Sequence, residues 1–147
     1  MTILVVDGQG GGMGSRIILE LRAVLGETVK ITAVGTNSLA TSSMLKAGAN
    51  MGATGENPVL CHAPRTDVIL GPIGIISAHS MHGEITPAMA SAIAASDARK
   101  ILVPVSKCSI SVAGVANAPL ETYVKQAAEL AVRMIHEDTE EETGFCR

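Results

Sequence analysis

An apolar run, Ile3-Leu4-Val5-Val6, ends in Asp7-Gly8-Gln9-Gly10-Gly11-Gly12-Met13-Gly14, and beyond it Met13, Ile17, Ile18, Leu21, Val24 and Leu25 recur at helical spacing. A β-rich segment that turns through glycine straight into an amphipathic helix is the start of a strand-helix-strand unit, and it commits the chain to a parallel sheet. Five glycines in the seven residues from Gly8 to Gly14 exceed what a tight turn requires, since one or two supply the left-handed backbone. In doubly wound sheets such a turn lets backbone approach a phosphate, and the helix N-terminus offers unpaired N–H groups and partial positive charge. Two readings follow: a phosphate-bearing ligand, most often a nucleotide, or a bare turn that binds nothing.

The rest of the chain repeats the alternation. Val29 to Val34, Val59-Leu60-Cys61, Val68-Ile69-Leu70 and Ile101-Leu102-Val103 are short, largely continuous apolar runs, as strands covered on both faces should be. Leu39, Met44 and Leu45 precede Gly48 at helical spacing. Thr86-Pro87 makes an N-cap and first turn for a helix through Met89, Ile93 and Ala94. Pro119 opens another helix, carrying Leu120, Val124, Ala127, Ala131 and Ile135, and residues 48–57 read as a glycine-rich loop. The expected architecture is α/β: one three-layer domain over residues 1–136, with about five mainly parallel strands and helices on both faces.

Composition removes several classes. With 147 residues, 47% of them hydrophobic, the chain can bury a single core, and wholesale disorder is excluded. No apolar run approaches the ~18 residues of a membrane span, and the first residues enter a strand with neither a basic leader nor a cleavage site. The net charge of −3 is uneven: residues 137–147 hold five acids and one base, the other 136 residues nine acids and ten bases. A nearly neutral body with one Tyr, one Phe and no Trp gives nucleic acid neither a basic stripe nor stacking platforms. Residues 137–147 read as an acidic, disordered tail. Three cysteines, Cys61, Cys108 and Cys146, form no C-x-x-C pair and fit reduced thiols in a cytoplasm.

The spacing within the turn narrows the ligand. G-x-G-x-x-G is met only with Gln9 in its first place, giving Gln9, Gly11 and Gly14. G-x-x-x-G-x-G is met in full by Gly8, Gly12 and Gly14, and this form resembles the cofactor loop of short-chain dehydrogenases and reductases. A Walker A loop is excluded, because Ser15-Arg16 follows Gly14. The resemblance covers about the first 40 residues. The Tyr-x-x-x-Lys pair of that family is absent, Tyr123-Val124-Lys125 having the wrong spacing, so its hydride-transfer mechanism is not supported. The second strand should end near Val34-Gly35, where an NAD-binding unit carries Asp or Glu for the adenine ribose. Here Thr36, Asn37 and Ser38 follow, either as hydroxyl and N–H partners for a 2′-phosphate or as an N-cap and nothing more. NADP is weakly favoured over NAD, and a mononucleotide or sugar phosphate stays open. Arg16 is either a phosphate contact or solvated.

Gly71, Pro72, Ile73 and Gly74 follow the fourth strand and should share a rim with the glycine turn, facing the distal half of the ligand. His79, His82 and Glu84, with His62 or Cys61 from the expected end of the third strand, admit a metal reading, although H-E-x-x-H is absent. Surface or ligand-adjacent histidines are the better reading, so no metal is favoured. Lys107 is a candidate anion contact, and Cys108 reads as a buried thiol more readily than as a nucleophile.

Ile3 to Gly14, A-V-G-T-N-S at Ala33 to Ser38, K-A-G-A-N-M-G-A-T-G-E-N at Lys46 to Asn57, G-P-I-G-I at Gly71 to Ile75 and G-E-I-T-P-A-M at Gly83 to Met89 together resemble a family of small bacterial proteins, chiefly from Firmicutes, catalogued as a domain of unknown function. The resemblance spans roughly residues 3 to 115. It implies a cytoplasmic, Rossmann-like protein and brings no reaction with it. The expected ligand is therefore phosphorylated, a nucleotide such as NAD(P), with its phosphates at Gly8, Gln9, Gly10, Gly11, Gly12, Met13 and Gly14. A non-catalytic nucleotide sensor or regulatory subunit is the alternative, and a metal-dependent enzyme using His79, His82 and Glu84 the second. The low charge adds a last expectation, a homodimer or higher homo-oligomer formed through an apolar helix face.

Overall fold

Five of the six residues of strand β1 (Thr2–Asp7) are buried, which places it at the middle of the sheet. A computed structural model gives the fold; it describes residues 1–105 and 109–144, with side chains as far as Glu137. Beside β1 lie β2 (Lys30–Gly35), β3 (Met51–Thr54), β4 (Val68–Pro72) and β5 (Arg99–Val103), all parallel, in the order β3-β2-β1-β4-β5. The chain builds outward from β1 to β3, then returns across β1 to add β4 and β5. The reversal falls between β1 and β4, and their carboxyl ends open a crevice there.

Alternation along the strands divides the core in two. Ile3, Val5, Ile31, Leu70 and Ile101 face α1 (Gly12–Leu25) and α5 (Leu120–Gly144), packing with Ile17, Ile18, Leu21, Val124 and Ala131. Leu4, Val6, Val34 and Ile69 face the other way, against Val59, Met89 and Ile93 of α3 (Glu56–His62) and α4 (Pro87–Ala95). Helix α2 (Ser38–Lys46) joins the first layer through Met44. Each fully buried Ile or Leu here contributes about 1.5–3 kcal/mol of transfer free energy. Alanine at 127, 128 and 131, all nearly inaccessible, lets α5 approach the sheet closely. Among the described residues no helix is long and apolar enough to cross a membrane.

The third strand departs from expectation. It is Met51–Thr54, inside the segment read as a loop, while Val59-Leu60-Cys61 lies in α3. As an edge strand β3 is half-buried at Ala53 alone and otherwise exposed, so it carries no apolar run to betray it. Gly52 belongs there because Leu45 packs onto it: a Cβ at this position would lie 2.8 Å from the Leu45 side chain. Cys61 and His62 consequently sit near the C-terminus of α3 and at no strand end. Helix α5 continues to Gly144, so the backbone of the acidic segment expected to be disordered is helical as far as that residue; Glu137 pairs with Arg99 at 3.6 Å.

Candidate functional site

The glycine turn is organised around a buried carboxylate. Asp7, at the end of β1 and 4% exposed, accepts the N–H of Gly8 at 2.8 Å and that of Gly14 at 2.7 Å. It thereby caps the first turn of α1 from beneath. Burial pushes the Asp7 carboxyl above its ordinary value, and the charge of Glu84 adds to the rise. The N–H groups of Gly14, Gly8 and Met13 oppose it.

Three of the five glycines are explained by the protein itself. Gly11 is left-handed (φ 72°) and a Cβ there would meet the Ala40 backbone at 2.7 Å. Gly14 lies against Met44 and Asp7, where a Cβ would approach to 2.5 and 2.9 Å, so helix and strand touch through it. Gly8 is hemmed in by Met81, Thr36 and Glu84. Gly10 and Gly12 differ. Neither has a positive φ, a Cβ on either meets nothing within 4 Å, and their N–H groups have no acceptor among the described residues.

Both face a cleft of about 1040 Å³, a volume suited to a small molecule. Its floor is Asp7 to Gly10, Gly12, Met13 and Pro72 to Gly74; its walls are residues 77–82 on one side, and Pro104, Val105, residues 109–112 and 115–118, Leu120 and Tyr123 on the other. Among the described residues no Lys or Arg lines it, so an anion would depend on backbone N–H groups and the helix end, with His79 and His82 at the rim. Lys107 and Cys108 lie outside the described residues, as does Cys146. Gly71 is not on the cleft surface: it packs under Val6, whose carbonyl a Cβ would strike at 2.4 Å. Arg16 is exposed and away from the cleft.

The residues after β2 are brought to a different partner. Asn37 caps α2 by accepting the Ala40 N–H at 2.9 Å, and its amide donates to Gln9 O at 2.8 Å and Glu84 Oε1 at 2.7 Å. Thr36 Oγ1 donates to the same carboxylate at 2.9 Å, and Gln9 N–H to its other oxygen at 2.9 Å. Ser38 is exposed, and none of the three lines the cleft. Burial pushes the Glu84 carboxyl up, yet the hydrogen bonds from Asn37, Thr36 and Gln9, with the charge of His82, outweigh it and hold the group below its ordinary value.

Glu84 arrives on a strained loop. His79, Met81 and His82 have φ of 65°, 55° and 56°, left-handed conformations that cost on the order of 1–3 kcal/mol each. Fully buried Ile85 and the Thr86 cap of α4 anchor its end. Among the described residues no three His, Cys, Asp or Glu side chains are grouped to hold a metal, so the set His79, His82 and Glu84 is not assembled. Glu84 is the residue whose role the sequence disguised: its partners stand 47, 48 and 75 positions away, and only its place before a capped helix marked it. Tyr123, which donates to Ala116 O, and the wall from Ser109 to Ala118 carry no periodic signal at all.

A parallel sheet ordered 3-2-1-4-5, with a glycine turn from its first strand and a cleft at the reversal, defines a Rossmann-like α/β protein. The chain belongs to the family described as Domain of unknown function (DUF3842), whose model matches residues 2–136. No curated protein matches it. Among solved structures it is similar to a dodecameric FMN-dependent Ubix-like decarboxylase from Escherichia coli O157:H7, with a TM-score of 0.46 and 14% identity over 88% of this chain and 75% of that one. A likeness of that degree carries nothing about ligand or assembly to this chain.

Proposed function

We propose that this protein binds a small phosphorylated ligand, a nucleotide in the first instance, with phosphate oxygens on the N–H groups of Gly10 and Gly12 and the remainder in the cleft above Met13, Pro72 and Gly74. The observation that carries the reading is the contrast among the glycines. Where packing or backbone conformation demands glycine, at Gly8, Gly11 and Gly14, the reason is internal. At Gly10 and Gly12 nothing in the fold demands it, and the open space there is what a ligand approaching the backbone needs. NAD(P), the cofactor expected from the turn's spacing, is one member of this class. The exposed thiol of Cys61 supports a reducing, cytoplasmic setting.

Gly12→Val tests the reading at a position where an added Cβ meets nothing within 4 Å. Thermal-shift screening of the full chain with AMP, FMN, NAD, NADP and sugar phosphates should raise the melting temperature for at least one compound, and Gly12→Val should abolish that shift. A flat response to every compound, or an undiminished shift in the variant, removes the proposal.

A further inference from the structure

We infer that Glu84 is the specificity-determining residue of the cleft: it closes the half of the crevice over β1 and β2, so that the ligand is a mononucleotide held wholly on the β4–β5 side. This rests on the phosphate reading above and narrows its ligand class.

A dinucleotide on a sheet of this order straddles the reversal, its pyrophosphate at the first helix and its adenosine over the first two strands. In this protein the adenosine half is already filled. The Glu84 carboxylate lies between the glycine turn and the end of β2, engaged by Gln9 N–H, Thr36 Oγ1 and Asn37 Nδ2 at 2.7–2.9 Å. At Gly8 not even a methyl group fits: a Cβ would lie 2.7 Å from Met81 Sδ and 2.8 Å from Thr36 Oγ1. The side chains of Thr36 and Asn37, two of the three residues that would serve ribose hydroxyls or a 2′-phosphate, are therefore taken, and a negative charge stands in the place of the anion.

The plug is held in position by its own backbone. His79 N–H donates to Ile85 O at 2.7 Å, Gly83 N–H to His79 O at 3.1 Å and Glu84 N–H to Met81 O at 3.1 Å, which ties the loop into a tight coil over buried Ile85. The unfilled half is the cleft of about 1040 Å³, ample for a nucleotide, and it is lined by no residue of β2 or α2. Gly10 and Gly12 line this half.

Calorimetric titration of the full chain with AMP and FMN, and separately with NAD and NADP, reads the discrimination. Wild type should bind at least one mononucleotide more tightly than either dinucleotide by about tenfold or more. The substitution Glu84→Ala should raise dinucleotide affinity about tenfold while changing mononucleotide affinity by less than about threefold. Glu84→Gln preserves the bulk of the loop and should give a smaller gain for NADP, which keeps the test open if Glu84→Ala does not fold. Equal binding of mono- and dinucleotides by wild type, or folded variants without any gain, overturns the role of Glu84 and leaves the phosphate site standing. No binding of any of the four overturns the mononucleotide assignment, and silence toward sugar phosphates as well overturns the reading beneath it.

Discussion

Gly11 and Gly12 are neighbours with opposite reasons to be glycine, and single substitutions separate them. Gly11→Ala must place a Cβ in a left-handed residue against the Ala40 backbone, and Gly14→Ala must displace Met44. Each should lower stability by about 2 kcal/mol or more in urea denaturation. Gly10→Ala should stay within about 0.5 kcal/mol of wild type, as an uncrowded surface site does. Equal losses across the three would mean that the whole turn is structural. Asp7 gives a second test at this scale. Its folded pKa is raised above 3.8, so the folded state holds the proton longer than the unfolded chain does. Its contribution is then fully present below 3.8 and is lost as pH rises through the folded value. Glu84 acts in the opposite sense, its contribution present above 4.5 and lost as pH falls through its lowered value. The melting temperature of Asp7→Asn relative to wild type should therefore improve with rising pH across the window that starts at 3.8. A difference that does not change with pH would contradict the burial of this charge.

At the scale of elements, what could be read in advance follows from where each signal resides. β1, β2 and β4 are largely buried and their apolar runs announce them, and the edge strand β5 is announced by Ile101 and Val103, which reach the core; α4 is announced by Thr86-Pro87, which forms the expected cap, with Met89 N–H donating to Thr86 Oγ1 at 3.1 Å. Thr86 also donates to Glu56 at 2.5 Å, joining α4 to α3. Thr86→Ala should cost about 1 kcal/mol, measured by chemical denaturation, and no measurable loss would mean that the cap is replaced by solvent. The exposed edge strand β3 escaped because an edge needs few apolar side chains, and Val59, a single buried contact of α3, imitated a strand. In the site, the glycine turn was legible because its chemistry is contiguous in sequence. The partner of Thr36 and Asn37 was not, since the pairing of those residues with Glu84 exists only once β2 and the loop after β4 meet.

For the whole molecule, the sheet order sets one rim on which the glycine turn, the strained loop and the 109–118 segment converge. Leu45 and Met51, 41% and 54% exposed, flank the unpaired edge of β3, and this is where we expect a second copy to add. Light scattering at micromolar concentration should report a dimer, and Met51→Lys should shift it toward monomer; a wild-type monomer would contradict this. The central claim remains the use of backbone at Gly10 and Gly12. Amide NMR of the full chain during titration with the tightest-binding nucleotide tests it most directly. The Gly10 and Gly12 resonances should move most, while those of Gly11 and Gly14, whose N–H groups are bonded to Gly8 O and Asp7, should move least. Shifts confined to other residues, with Gly10 and Gly12 still, would contradict the account.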